Sequence, residues 1–165
     1  MFNVGDIVAH PMHGAGRIDS IVKKRIDGVE NEYYVLKMPT GEMSIMVPVL
    51  NSAVIGLREI VSAEYAIGLL EAFPGLDVCM QQNWNKRYRE NVEKIKSGDP
   101  MEVAAVVKGL MSRDAQRGLS TGERRMLHSA KQILISELVV ALGRSFEEIE
   151  QTLLACIGKT ETSCQ

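Results

Sequence analysis

Aromatic residues are scarce in this chain, at 5% of 165 positions, and Trp84 is the lone tryptophan. A single large indole among polar neighbours therefore needs a reason. Cysteine is scarce too: Cys79, Cys156 and Cys164 are odd in number and show no CxxC spacing. That pattern argues against a disulfide framework or a thiolate metal site, and it points to a reducing cytosol. No apolar run approaches the length that spans a bilayer. The opening MFNVGD lacks the charged-then-apolar pattern of a signal peptide. A cytoplasmic protein with no membrane partner is expected. There is no internal repeat and no low-complexity segment. What is present is globular: 45% hydrophobic and 24% charged residues give one medium domain or two small ones a core to pack.

Hydrophobic periodicity divides the chain near residue 60. Before it, VGDIVAH, GAGRIDSIVKKRI, NEYYVLKM and EMSIMVPV are short runs rich in Val, Ile and Tyr, punctuated by glycine turns. Asp27-Gly28 and Thr40-Gly41 each separate two such runs, as hairpin turns do. Four or five strands with close turns predict a small all-β barrel of the Tudor or SH3 type over 1–60. VLNSAVIGLREIV reads as mixed loop and extended chain.

From Ser62 the period becomes helical, predicting an all-α bundle of about five helices over 61–158 and a frayed tail over 159–165. EYAIGLLEAF forms a first helix, stopped by Pro74-Gly75, and LDVCMQQ is a connector. Asn83 caps a helix to about Ser97, closed by Gly98, with Trp84, Tyr88, Val92 and Ile95 on one face. Asp99-Pro100 opens the next, whose stripe is Val103, Val107, Leu110 and Met111. Ser120 to Glu123 is a capping box for a long helix with Leu127, Leu134, Leu138 and Ala141 inward. Ser145 to Glu148 is a second, for a last helix carrying Ile149, Leu153 and Ile157.

No catalytic constellation can be assembled, so an enzyme is the least favoured class, and no cofactor or metal is expected. His10 and His13 lack a third ligand at suitable spacing. GAG at 14–16 lacks the strand-then-helix context of a phosphate loop and reads as turn chemistry. His128 sits on a helix between Arg124 and Lys131, as part of a polar face.

The net charge of −2 hides an uneven distribution. Residues 1–75 carry 6 Lys and Arg against 9 Asp and Glu, residues 76–131 carry 11 against 7, and residues 132–165 carry 2 against 5. The middle third is a basic island of net +4 between two acidic segments, and local fields rather than the total steer phosphate binding. Two cation clusters lie at predicted helix N-termini, Lys86, Arg87 and Arg89, then Arg124, His128 and Lys131 at i, i+4 and i+7 beside Arg125, and each reads either as a solvated face or as a phosphate site. There the backbone N–H groups also favour phosphate. Trp84 has two readings from spacing alone. It can be the first core residue of its stripe, or an exposed indole that stacks on bases or wedges into a minor-groove step. The run EMSIMV likewise reads as a covered core strand or as an edge strand that takes a partner's strand.

VGDIVAHPMHGAGRI, EYYVLKMPTGEMSIMVP, GLREIV, NWNKRYRENVEKIKSGD and RGLSTGERRML, in that order, resemble the CarD (CdnL) family of bacterial transcription regulators. The N-terminal part is also similar to the polymerase-binding domain of transcription-repair coupling factor. The resemblance implies a Tudor-like domain docked on the β subunit of RNA polymerase through Met43, Ser44, Ile45, Met46 and Val47, and through Lys24. It implies a helical domain that touches promoter DNA at the upstream edge of the melted region with little sequence specificity. There Trp84 wedges into the minor groove and Lys86, Arg89 and Arg124 hold phosphates. Some members carry a basic residue at the position of Met46, so a salt bridge from there is lost here. The expected protein is a monomer that stabilises the open promoter complex. The competing class is a protein–protein adaptor, whose barrel binds an extended strand and whose helical module binds an acidic partner. An RNA-binding barrel is disfavoured by the acidic 1–75 segment.

Overall fold

The computed structural model describes residues 1–39 and 43–157. The expected Thr40-Gly41 turn and the 159–165 tail lie outside the described residues. The chain divides into two compact units, one over Met1–Ile60 and the other from Val61 on.

The first unit is a five-stranded antiparallel sheet: β1 (Ile7–His10), β2 (Gly14–Ile26), β3 (Val29–Lys37), β4 (Ser44–Pro48) and β5 (Arg58–Glu59). Its order is β4-β3-β2-β1-β5, so β4 and β5 are its edges. Asp27 and Gly28 join β2 to β3 in a two-residue turn with φ of 54° and 81°. Two positive φ values match the right-handed twist of the flanking strands. The alternation of β2, β3 and β4 puts Ile18, Tyr34, Leu36 and Val47 in one core with Val8 and Leu57. Phe2 closes it, packing edge-on to Tyr34 and donating its N–H to the phenol oxygen at 3.0 Å.

Two local expectations are revised. Gly14–Gly16 belongs to strand β2, not to a turn. Gly16 allows a close approach there: a Cβ would sit 2.9 Å from Met38 Sδ and 3.2 Å from the Lys37 carbonyl oxygen. Ser52–Ile55, expected as loop or extended chain, is a helical turn, α1, ended by Gly56 in the left-handed region.

The second unit contains α2 (Ala63–Ala72), a 3-10 turn over Phe73–Gly75, α3 (Trp84–Lys96), α4 (Pro100–Arg117), α5 (Thr121–Leu142) and α6 (Phe146–Ala155). Four of these helices start on a side-chain cap legible from sequence. Asn83, Asp99, Ser120 and Ser145 accept hydrogen bonds from the backbone N–H groups of Lys86, Met101, Glu123 and Glu148. Each cap satisfies a donor the helix itself cannot. Helix α2 starts the same way on Ser62. The helices bury a common core around Leu69, Phe73, Val107, Leu110, Leu134 and Leu138.

The 76–82 connector lies against α4. Lys108 is buried there, donating its ammonium to the carbonyls of Pro74 and Leu76 at 2.7 Å each. Beside it Gly109 has no Cβ to collide with Met80 and Val78. Cys156 is a free thiol. Cys79 is disulfide-bonded, a departure from what the cysteine spacing suggested. Among the described residues no single helix is long and apolar enough to cross a membrane.

Candidate functional site

The Asn83 cap makes Trp84 the first residue of α3, on the outermost turn. Exposure falls along its stripe, from 43% at Trp84 through half-buried Tyr88 and Val92 to 6% at Ile95. The core thus anchors the far end of the stripe and leaves the indole in solvent. Trp84 is exposed but not loose. Its ring stacks on Tyr88, with centroids 5.0 Å apart and planes at 19°. Its Nε1–H donates to Ser120 Oγ at 3.1 Å. Ser120 Oγ also accepts from the Glu123 N–H, so the N-cap of α5 doubles as the support of the indole. Gly122 lies beneath: a Cβ there would meet Trp84 Cζ2 at 3.5 Å.

These links bring the starts of α3 and α5 together, and with them the two cation clusters. The clusters then separate by role. Lys86, Arg89, Arg124 and Arg125 are exposed. Arg124 donates its Nε–H to the Leu119 carbonyl at 3.2 Å, which ties its side chain to the α5 start. Arg87 is a correction to the sequence reading, because its side chain is 97% buried and its charge is already matched. Nε and Nη2 donate to the two carboxylate oxygens of Glu123 at 2.9 Å, and Nη1 donates to the carbonyls of Gln81 and Gln82 at 2.9 Å. No donor set so engaged is available to a phosphate. Hydrogen bonding to Arg87 holds the Glu123 carboxyl below its ordinary value, against burial, with Arg87 and Arg113 charges adding to the effect. The same hydrogen bond raises the Arg87 guanidinium. Lys131 is half-buried and meets Glu150 of α6 at 3.3 Å, which draws it toward α6.

In the first unit, β4 is an edge strand. Met43, Ser44 and Met46 are exposed, and Ile45 is partly covered. Val47 is 1% exposed and faces Tyr34 in the core. Its side chain is therefore closed to a partner. Lys24 is exposed on β2 opposite Asn31, whereas Ser44 pairs with Lys37. The six-residue offset along β3 separates the two levels by about 20 Å. Lys24 thus lies beyond the Pro48 end of β4 and far from Met43 and Ser44.

Among the described residues no group of three His, Cys, Asp or Glu is placed to hold a metal. The His10 and His13 rings lie 4.7 Å apart. Burial, and then the neighbouring His13, push the His10 imidazole pKa down. The shared helical face paired Trp84 with Tyr88, as found; sequence reasoning missed Ser120 and Glu123 as parts of the Trp84 assembly. The capping box at Ser120 was visible; the tryptophan 36 residues earlier that uses the same oxygen left no local signal.

Comparison with known proteins covers both units. Residues 2–61 match the CarD-like/TRCF RID domain family, and residues 68–154 match the CarD C-terminal domain family. A Bacillus subtilis (strain 168) protein named "Putative transcription factor YdeB" is 33% identical over 153 residues, spanning 91% of this chain and 98% of its own. Both modules agree in kind and order, and the chain belongs to the CarD family of transcription factors, with an N-terminal RNA polymerase-interacting domain.

Proposed function

We propose that this protein binds the β subunit of RNA polymerase through the β4 edge and stabilises the open promoter complex by touching DNA at the upstream edge of the bubble. It does so as a cytoplasmic, non-enzymatic monomer. The observation that carries the reading is Trp84: a 43% exposed indole, fixed by Tyr88 and Ser120, between exposed Lys86 and Arg89 on one helix start and Arg124 and Arg125 on another.

The chemistry follows from that arrangement. A junction between paired and melted DNA has a weakened stack, and a flat apolar ring that fills the gap slows closure without reading sequence. Cations and backbone N–H groups around it bind phosphates and set the depth of the ring. Without Arg87 and with Lys131 drawn to Glu150, four exposed cations remain at the two helix starts. Four phosphate contacts give weak autonomous binding. Tethering to polymerase supplies the missing affinity by raising the local concentration, and promoter choice is left to polymerase. On the polymerase side, β4 offers free backbone groups for strand addition, with Met43 and Met46 as soft contacts.

The test is binding to forked promoter DNA with and without polymerase over a salt series. Salt-sensitive binding that needs polymerase is expected. No DNA contact in the presence of polymerase, with partner binding retained, would instead support an adaptor whose cations meet an acidic protein.

A further inference from the structure

Arg87 and Glu123 are spent inside the helical unit, yet their geometry bears on Trp84. The indole joins α3 to α5 through Ser120, and three residues further along each helix Arg87 joins Glu123. One link between two helix starts is a pivot. Two links, one turn apart, fix rotation and register together. The guanidinium also reaches the Gln81 and Gln82 carbonyls, so four of its five N–H groups hold the connector, α3 and α5 in one arrangement.

We propose that Arg87 and Glu123 are positioning residues for Trp84: they lock the α3 start against the α5 start, so that the indole is set on Tyr88 and Ser120 before DNA arrives. Stability alone is a poor reason for the pair, because well-packed apolar replacements of buried ion pairs are often neutral or stabilising. Directional hydrogen bonds give register, which apolar packing does not. A ring already ordered loses less freedom on binding than one ordered by DNA. The consequence for promoter complexes rests on the function proposed above; the lock itself does not.

Trp84 is the chain's sole tryptophan, so its emission reports the assembly directly. The full-length Arg87→Met/Glu123→Leu double variant is compared with wild type by thermal unfolding, acrylamide quenching, time-resolved anisotropy and open-complex lifetime. We expect cooperative unfolding within a few degrees of wild type, a fast anisotropy component absent from wild type, at least twofold stronger quenching, and a severalfold shorter open complex. Wild-type anisotropy and quenching in the folded double variant would overturn the proposal. If that variant does not fold, Arg87→Lys decides: it keeps the charge but not the forked donor set. A loosened indole supports the lock, and wild-type anisotropy refutes it. The optical readouts need no DNA. If Trp84→Ala leaves open-complex lifetime unchanged, the promoter reading fails while the lock is still judged by fluorescence.

Discussion

Trp84 owes its exposure to its position, not to an absence of neighbours. Its stack on Tyr88 and its bond to Ser120 are surface interactions, so Trp84→Ala is expected to cost about 1–2 kcal/mol of stability. The denaturation midpoint followed by circular dichroism checks this, and a loss above 4 kcal/mol would make Trp84 a core residue. Glu123 is the opposite case. Glu123→Ala leaves a buried guanidinium uncompensated, with an expected loss of about 3–5 kcal/mol. Its carboxyl is held below the ordinary value of 4.5 in the folded protein. The stabilisation is therefore fully present above pH 4.5 and is lost as pH falls through the lowered folded value. Urea unfolding between pH 6 and 3 is expected to show this acid slope, and Glu123→Gln to flatten it.

At the scale of elements, the caps and the β2–β3 turn were legible because each is a local signal. Asn83, Asp99, Ser120 and Ser145 act within three residues of themselves, and Asp27-Gly28 is a two-residue turn. Long-range partners were not legible. Helical spacing puts Arg87, unlike Lys86 or Arg89, on the face of Asn91 and Ile95, but the carboxylate that lets a cation be buried there, Glu123, is 36 residues away and leaves no local signal. Val47 shows the same limit, since strand alternation gives its face but not the Tyr34 ring across from it. Two element-scale outcomes are expected. Gly109→Val pushes Val78 and Met80 off α4 and costs about 1–3 kcal/mol by overpacking, read as a lower unfolding midpoint. Met46→Glu, on the exposed face of the edge strand, leaves stability within about 0.5 kcal/mol but reduces co-purification with polymerase. Unchanged co-purification would move the docking surface away from β4.

For the whole molecule, the switch from a period of two to a helical period near residue 60 was enough to foresee two units of different class, and the structure divides at Ile60. Charge distribution was a coarser guide. The basic middle segment is real, but pairing inside the fold removes Arg87 from it and turns Lys131 toward α6. Of the exposed remainder, Lys86, Arg89, Arg124 and Arg125 lie at the two helix starts around one aromatic ring, while Lys96 and Arg117 lie at helix ends. The proposed function requires this ring to hold promoter DNA open. The most direct test is the half-life of competitor-challenged open complexes formed by polymerase with wild-type protein, with Trp84→Ala, and with no added factor. We expect a longer half-life with wild type, and with Trp84→Ala a half-life near that of polymerase alone although the variant still co-purifies with polymerase. A folded, polymerase-bound Trp84→Ala protein that prolongs the open complex as wild type does would contradict it.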